Sequence, residues 1–506
     1  MTHTSILYQN HVSTIFLIDV PTSIALAQSL PKQAPSKKSL FSSPALETPY
    51  PPSTEPKTAT ARARVLERIP HSEREVAAAI EPVVLGALAE IRSGFQSRVK
   101  WCFERCLIGD GDADGHEHEN GMASIERGGG GVTLGKRRRK GEAEYHQDNQ
   151  STSDGPGIQP LELDELDQPV ESMPTKKPPL ILSPGLNRFT SGAELRNHIV
   201  KNTSPSTATV SIHPQKNNPS NILAARDLQI KVQNQHRTYT IPPLSTFLIC
   251  NLPISTPPTR ETKHNPIPSL DPNQKFNLIL LDPPWSNRSV RRSGHYQTQS
   301  YSHFELLTEW VCNLLRVHSF SAPPSVTIES GEGEVASERE DSSRSDTCIA
   351  AIWITNSAKA RRTAYDSLTR AGFAIIEEWV WIKTTVYGEP VTPVEGLWRK
   401  PYEVLVVGVK KENEEKESEE DTTRGIRRRV IAGVPDVHSR KPNLREVFER
   451  VFFPSPSSSV SGCADAGRMR YEALEVFARN LTAGWWACGD EVLKFNDGEC
   501  WVDVDA

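Results

Sequence analysis

The sequence of 506 residues predicts an α/β protein with a mostly parallel sheet and helices on both faces of that sheet. Two observations support this prediction. From Phe276 onward, short apolar segments typical of strands alternate with amphipathic segments typical of helices. One apolar segment, residues 276–281, ends in Asp282-Pro283-Pro284-Trp285. Because ligands bind at the carboxyl ends of strands in open α/β sheets, this tetrad marks a candidate site.

The composition indicates that much of the chain does not pack into a core. There are 39 Pro, hydrophobic residues make up 37%, and the mean hydropathy is −0.48. We therefore expect one domain of ordinary size and a smaller N-terminal region, separated by disordered segments. The net charge is −5, which excludes a generally basic surface, so contacts with nucleic acid would need local basic patches.

The eight cysteines form no evident disulfide framework, which predicts a reducing compartment. Cys102 and Cys106 are one helical turn apart, but no second Cys/His pair stands nearby at zinc spacing. We expect free thiols there and no metal site. The apolar run Ile15–Ile18 is followed at once by Asp19 and is not preceded by a basic region, so we do not expect it to be a signal peptide. We also expect a soluble protein with no membrane contact.

The first half of the chain divides into segments of different composition. We predict a hairpin-like segment (1–30), a disordered linker (31–60), a helical region (61–108), a disordered linker (109–178) and an accessory segment (179–236). In the helical region, Ser72 and Glu75 predict a capping box, and Pro82 predicts a break in the first turn. The apolar stripe behind them predicts a packing face, formed by Ile80, Val84, Leu88, Ile91, Phe95 and Val99. The basic run 136–140 in the second linker suits a nuclear import signal, a phosphate contact or a solvated surface about equally.

The main domain is predicted over residues 237–506. Its strand-like segments are Tyr239–Leu252, Ile349–Ile354, Phe373–Lys383, Tyr402–Val409 and Val430–Val434, with a strand or hairpin at Gly484–Phe495. A further strand-like segment, Thr207–Ile212, precedes the domain in the accessory segment. Helices are predicted over His303–Val317, about 357–371, and Leu444–Phe452. Polar insertions near 321–346, 411–425 and 454–467 interrupt the pattern.

The tetrad suits one kind of ligand on chemical grounds. The carboxylate of Asp282 and the neighbouring backbone carbonyls accept hydrogen bonds, while the indole of Trp285 offers a stacking surface. A planar ring with an exocyclic amine fits this set. Read alone, however, Asp-Pro is equally typical of a structural turn at the end of a strand.

Seven ordered motifs resolve that ambiguity, since together they resemble the eukaryotic adenine-N6 methyltransferase family with the Asp-Pro-Pro-Trp motif. Its relatives include the catalytic subunit of the messenger-RNA adenosine methyltransferase, and the resemblance is nearest to the methyltransferase-like-four branch. The likeness runs from about residue 237 to 496. The motifs are Phe276–Trp285 with Asn287–Ser293, Trp379–Lys383, Lys400–Leu405, His438–Pro442, Phe477–Asn480, Gly484-Trp485 and Gly489–Phe495.

The resemblance implies a Rossmann-like class I methyltransferase sheet with circularly ordered motifs, in which the catalytic motif precedes much of the pocket for S-adenosyl-L-methionine. It implies a catalytic role for Asp282, Pro283, Pro284 and Trp285. It further implies that the cofactor is bound by Asn251, Lys441, Arg479, Asn480, Asp490 and Glu491. Asp490 departs from the family pattern, which has Asn at that position, and this makes the site more negative.

The segment after the tetrad contains the expected substrate-binding residues. Three arginines are expected to grip phosphates next to the base-binding pocket, although a solvated basic loop is the alternative. The residues assigned to substrate are Asn287, Arg288, Arg291, Arg292 and Tyr296. We expect Lys383 either to reach the pocket or to have a structural role, and the spacing favours neither.

The resemblance favours transfer of a methyl group to the N6 amine of adenine in nucleic acid. RNA adenosine is the expected substrate, with 2′-O-methylated adenosine in small nuclear RNA as one candidate and DNA adenine as the close rival. A catalytically inactive scaffold or nucleic-acid-binding subunit is the alternative; cytosine N4 as the target has little motif support. We also expect a monomer located in the nucleus, with the cytosol as second choice.

Overall fold

The computed structural model describes twelve stretches of the chain. They are residues 4–31, 33, 38–51, 55–95, 99–107, 177–213, 237–285, 304–321, 347–397, 399–411, 425–454 and 469–503. The stretches up to 107 and from 177 onward belong to one compact unit. The basic run 136–140 and nearly all of the three polar insertions lie outside the described residues.

Strands make up most of the regular structure. In chain order they are β1 Ile6–Gln9, β2 Ile15–Ile18, β3 Lys38–Ser42, β4 Cys106–Leu107, β5 Leu180–Ile181, β6 Gly185–Phe189, β7 Ile199–Lys201, β8 Ala208–Ile212, β9 Arg237–Ile241, β10 Thr246–Ile249, β11 Leu278–Leu281, β12 Ile349–Ile354, β13 Phe373–Lys383, β14 Tyr402–Lys410, β15 Arg427–Gly433, β16 Ala473–Val476, β17 Trp486–Gly489 and β18 Trp501–Asp503. The helices are α1 Val20–Ala27, α2 Ala59–Arg68, α3 His71–Gly94, α4 Arg260–His264, α5 Phe304–His318, α6 Ala358–Arg370 and α7 Arg445–Val451.

A 12-stranded mixed sheet is the centre of the fold. Its strand order is β1-β2-β15-β13-β14-β12-β11-β16-β17-β10-β7-β5. The strands that run in one direction are β2, β15, β13, β12, β11, β16, β17 and β10. Within that parallel set, β14 is antiparallel to both of its neighbours. The predicted α/β class is confirmed, and β16 and β17 from the end of the chain lie between β11 and β10.

Both faces of this sheet are covered, which explains why its strands are apolar throughout. Ile279 and Leu281 of β11 face a core formed with α3, α5 and α6. Leu278 and Leu280, the alternate residues of the same strand, face a second core that includes Phe448 of α7. Each face therefore takes every second side chain of β11, as the two-residue period of a strand requires.

The N-terminal hairpin is part of the large sheet. The two segments predicted to pair form antiparallel strands β1 and β2. The second of them also pairs in parallel with β15, where Ile15 lies opposite Val430. Phe16, Leu17 and Ile18 are at most 1% exposed, so β2 is buried on both faces like the strands around it.

Helix α3 differs from its prediction at its beginning. It starts after Pro70, which makes no side-chain capping bond, so the predicted capping box of Ser72 and Glu75 is wrong. Pro82 lies inside the continuous helix rather than at a break. The predicted packing face is confirmed at Ile80, Val84, Leu88 and Ile91, which are all fully buried. It is wrong at Val99, which lies beyond the end of the helix at Gly94 and is 47% exposed.

Two predicted segments contain strands. Within the predicted linker 31–60, β3 pairs with β4 and with β18. Within the predicted accessory segment 179–236, β5 and β7 extend the large sheet, while β6 and β8 form a small sheet with β9. Among the described helices, none combines the length and apolar character needed to cross a bilayer.

Candidate active site

Four parallel strands end at one edge of the sheet, and the predicted site residues follow them. The ends of β11 and β16 are in register, with Leu281 opposite Val476. In the same way, Val476 lies opposite Cys488, and Ile249 lies opposite Gly489. The residues that follow these strand ends are Asp282–Trp285, Phe477–Asn480, Asp490-Glu491 and Asn251. Lys441 reaches this edge from the loop between β15 and α7.

The tetrad forms a tight turn whose aromatic end is fixed. The Asp282 N–H donates to the carbonyl of Val476 at 3.2 Å, and the Trp285 N–H donates to the carbonyl of Pro283 at 2.8 Å. The indole Nε1–H donates to the carbonyl of Trp353 at 2.7 Å. One face of this indole stacks with Phe304 at 6.5 Å between ring centroids. The tetrad is therefore a structural turn at the end of β11, and this turn is compatible with a ligand site at the same position.

The carboxylate of Asp282 is held by a lysine. The Nζ of Lys441 donates to both of its oxygens, at 2.7 and 2.8 Å, and each side chain is 18% exposed. The same ammonium lies 3.3 Å from Glu403, which also pairs with Lys383 at 2.7 Å. Four alternating charges thus form a continuous chain, Asp282–Lys441–Glu403–Lys383.

Burial and charge set the pKa values within this chain. Burial of Glu403 would raise its pKa, but Lys441 and Lys383 outweigh that effect and lower the pKa to about 2. Burial of Lys441 would lower its pKa, but the carboxylates of Asp282 and Glu403 outweigh it, so the pKa is raised. Lys441 is therefore a permanent cation at neutral pH, and Glu403 is a permanent anion.

A second carboxyl group at this edge behaves in the opposite way. Burial, reinforced by the charge of Asp282, raises the pKa of Glu475 to about 8, although Lys441 acts to lower it. Sequence reasoning missed both Glu475 and Glu403. The signal for Glu475 is a lone acidic residue inside the apolar segment Ala473–Val476, and the signal for Glu403 is its position next to the buried Tyr402 of β14.

A cavity opens beside Asp282 and Lys441. Its polar lining includes three of the residues assigned to the cofactor, and its apolar lining includes four large aromatic side chains, one of which is Trp353. The other lining residues that bear on ligand binding are Asp282, Ser439, Lys441, Asn443, Glu475, Arg479, Asn480, Phe477, Trp485 and Phe495. The Nδ2 of Asn480 is buried and has no hydrogen-bond partner in the part of the chain that the structure describes, so an amide donor is left for a ligand.

The remaining residues assigned to the cofactor lie outside this lining. The Nε of Arg479 donates to Glu491 at 3.0 Å, and Lys494 donates to the other oxygen of Glu491 at 2.8 Å. Burial would raise the pKa of Glu491, but Lys494 and Arg479 lower it overall. Asn251 and Asp490 are exposed at the ends of β10 and β17, and Asn251 accepts a hydrogen bond from Arg196 at 3.3 Å.

The residues assigned to substrate, Asn287, Arg288, Arg291, Arg292 and Tyr296, lie outside the described residues. Their assignments stay predictions. Among the described residues, no group of three His, Cys, Asp or Glu side chains is arranged to hold a metal ion.

The donor set of the cavity fits the cofactor that the sequence implies. Lys441 and Arg479 are cations that suit a carboxylate, and Asp282 and Glu475 are carboxyl groups that suit an ammonium group. The free Nδ2 of Asn480 and the aromatic lining suit the polar and planar parts of a nucleoside. A ligand that combines an amino acid end with a nucleoside, as S-adenosyl-L-methionine does, matches this combination.

Comparison with known proteins gives a consistent picture. The chain is 35% identical over 231 residues to the N6-methyladenosine RNA methyltransferase MTA1 of Cryphonectria parasitica, which covers 45% of this chain and 55% of that protein. It is 28% identical over 281 residues to the human N(6)-adenine-specific methyltransferase METTL4, covering 53% and 46%. It is 26% identical over 218 residues to a DNA N6-methyl methyltransferase of Caenorhabditis elegans, covering 43% and 45%. The matches thus span about half the length of each relative.

The MT-A70 family model matches residues 340–491. The match begins just before β12 and ends after β17, so it includes Glu403, Lys441, Glu475 and Arg479. The tetrad at 282–285 precedes it. MT-A70 proteins have a Rossmann-like methyltransferase fold, and they generally use S-adenosyl-L-methionine. Residues 340–491 are therefore similar to the MT-A70 family, and the relatives that match this chain are named as N6-adenine and N6-adenosine methyltransferases.

Proposed function

We propose that this protein transfers a methyl group from S-adenosyl-L-methionine to the N6 amine of adenine in nucleic acid. The observation that supports this most directly is the position of Asp282, an acceptor at the carboxyl edge of the sheet, beside a cavity with donors and acceptors for an amino acid and a nucleoside. The names of the relatives in two kingdoms agree with this reaction.

Asp282 and Pro283 act on the target amine. The N6 lone pair of adenine is delocalised into the ring, which makes the amine a poor nucleophile. Hydrogen bonds from its two N–H groups to the carboxylate and to the Pro283 carbonyl would turn the lone pair towards the methyl group. The Pro283 oxygen already accepts from Trp285, but a carbonyl oxygen has a second lone pair. Asp282 is also positioned to take the proton that the amine loses.

Lys441, Arg479 and Asn480 would hold the cofactor, with Glu491, Asp490 and Asn251 at the outer end of the site. When bound, the cofactor supplies an electrophilic methyl group on a sulfonium. The protein contributes orientation and electrostatics, and for well-oriented reactants such effects supply about 7–11 kcal/mol of the barrier. Lys441 keeps the Asp282 carboxylate in a single orientation through two hydrogen bonds.

RNA adenosine is our preferred substrate. Support comes from the Cryphonectria parasitica relative, which is 35% identical to this chain and is named as an RNA methyltransferase. DNA adenine is the second candidate, supported by the Caenorhabditis elegans relative. Arg288, Arg291 and Arg292 are proposed to contact phosphates of either polymer. We further propose that the protein acts in the nucleus, in keeping with the basic run 136–140, and that it acts as a monomer.

Mass spectrometry of nucleosides tests this proposal. Purified full-length protein is incubated with methyl-labelled S-adenosyl-L-methionine and, separately, with RNA and DNA pools. We expect labelled N6-methyladenosine in RNA and none with the Asp282→Ala variant. Label in neither pool, with wild type and variant alike, would support the inactive scaffold instead. Label confined to DNA would retain the reaction and change the substrate.

A further inference from the structure

Glu475 is a carboxyl group in an unusual position. It lies in β16, with Leu280 of β11 and Ala487 of β17 opposite it in register. Its side chain lines the cavity beside Asp282 and Lys441. Among the described residues it has no hydrogen-bonding or ion-pair partner. Such a group in the middle of an apolar sheet is destabilising, so its presence at the cavity wall points to a ligand.

Burial and the charge of Asp282 together favour the protonated form of Glu475 when no ligand is bound. Burial and the negative charge of Asp282 raise the pKa of Glu475 to about 8. Lys441 opposes this effect, but its ammonium is engaged by Asp282 and Glu403. The other titratable groups that face the pair are Arg479 at the cavity wall and the buried Cys488 of β17, whose pKa is raised.

The two carboxyl groups of the cavity are not equally free to bind a cation. Both oxygens of Asp282 already accept from Lys441, at 2.7 and 2.8 Å. The carboxyl group of Glu475 accepts no such hydrogen bond from a described residue. A cation that enters between these groups would remove the like-charge penalty that keeps Glu475 protonated, because an opposite charge within a few ångström favours the ionised form.

We propose that Glu475 binds the α-ammonium group at the amino acid end of the methyl donor and releases its carboxyl proton to solvent as it does so. This inference rests on the proposed function, since it assigns a residue of the same cavity to one part of the same cofactor. The carboxylic acid becomes a carboxylate, the proton goes to the buffer, and no other bond is made or broken. Cofactor binding is thereby coupled to one proton.

Calorimetry measures this coupling without any methyl transfer. S-adenosylhomocysteine is titrated into the full chain at pH 7.0 in buffers of different ionisation enthalpy, and the slope gives the protons released. A carboxyl group with a pKa of about 8 is protonated in about nine of ten molecules at pH 7.0. We expect about 0.9 protons released by wild type and none by Glu475→Gln. In wild type, 5′-methylthioadenosine, which lacks the amino acid end, should bind without proton release.

The pH dependence of affinity gives a second readout. From pH 6 to pH 7 the Kd of wild type should fall close to tenfold, and that of Glu475→Gln less than twofold. Binding by wild type with no proton release would overturn this inference and leave the proposed function standing. Equal proton release with 5′-methylthioadenosine would overturn the assignment to the ammonium group. No binding of S-adenosylhomocysteine at millimolar concentration would overturn the proposed function as well.

Discussion

Lys441 donates to both carboxylate oxygens of Asp282, at 2.7 and 2.8 Å, across 159 positions of sequence. The pair joins the end of β11 to the loop before α7. The sequence motifs predict that the first residue binds the substrate amine and that the second binds the cofactor. The contact between them indicates that the two halves of the site are one electrostatic unit, in which a change at the lysine alters the orientation of the acceptor.

Replacing Lys441 by Met should slow methyl transfer at saturating cofactor by about 10²-fold, because Asp282 loses the donor that orients it. The rate is measured as kcat with labelled cofactor. Lys263→Met is the matched control, since the Lys263 side chain is 59% exposed and its ammonium pairs with Glu309 at 3.8 Å. Its rate should stay within twofold of wild type. An unchanged kcat for Lys441→Met would show that the ion pair has no part in the reaction.

Asn480 and Asn496 form a matched pair of asparagines. Asn480→Ala should weaken cofactor binding about tenfold and leave the melting temperature nearly unchanged, because its Nδ2 has no hydrogen-bond partner among the described residues. Asn496→Ala should do the reverse, since the amide of Asn496 bonds to Leu481, Gln28 and Thr240 at 2.7–2.9 Å. Calorimetry and thermal melting of both variants check this. A large loss of stability in Asn480→Ala would argue against a ligand role.

Glu403 should contribute stability that disappears in acid. Its pKa in the folded protein is about 2, against an ordinary value of 4.5. The unfolded chain therefore takes up a proton first as the pH falls, and the contribution is lost between about pH 4.5 and pH 2. Urea unfolding at pH 6 and at pH 3 measures it. Glu403→Gln should lose less stability over this interval than wild type, and Glu309→Gln, at an exposed site, should match wild type.

Glu475 should have the opposite effect on stability. Its folded pKa of about 8 lies above the ordinary 4.5, so the unfolded chain gives up its proton first as the pH rises. Glu475 therefore lowers the free energy of unfolding progressively from about pH 4.5 to pH 8. Glu475→Gln should equal wild type at pH 4 and exceed it at pH 8.5 in urea midpoint. Equal midpoints at both pH values would contradict the raised pKa.

The sequence predicted the long strands of this fold best. The bounds predicted for β12 and β13 are those observed, because each is a long and nearly continuous run of apolar or aromatic residues. The central strand β16 was not predicted. It has four residues, and one of them is Glu475, whose charge conceals the apolar pattern. Its place between β11 and β17 becomes visible only from the pairing.

The site was predictable as a list of residues and not as a set of contacts. The motifs identified Asp282, Lys441 and Arg479, and all three line one cavity. The pairings of Lys441 with Asp282 and Glu403 could not be predicted, since they depend on how the loop after β15 crosses the strand ends. The apolar run Ile15–Ile18 carried an unused signal. A strand with no polar alternation is typical of burial on both faces, and therefore of a sheet interior.

The interior position of β2 makes a prediction for stability. Phe16→Ala should lower the free energy of unfolding by about 3–5 kcal/mol, because a fully buried aromatic ring is removed from the core of the sheet. Val12→Ala, at a residue that is 55% exposed, is the control and should change it by less than about 0.5 kcal/mol. Urea unfolding of both variants measures the difference. Similar values for the two would mean that β2 is not part of the cooperative unit.

The hairpin also has a consequence for how the protein is made. Ser5 donates its N–H to Glu446, 441 positions later in the chain. At about 5–20 residues per second, a ribosome needs roughly 20–90 s to cover that distance. During this time β2, a strand of four wholly apolar residues, has left the exit tunnel with β1 but without β15, the second strand that it pairs with. Translation therefore exposes an aggregation-prone segment early, and holding it until β15 has been synthesised is a task suited to a chaperone.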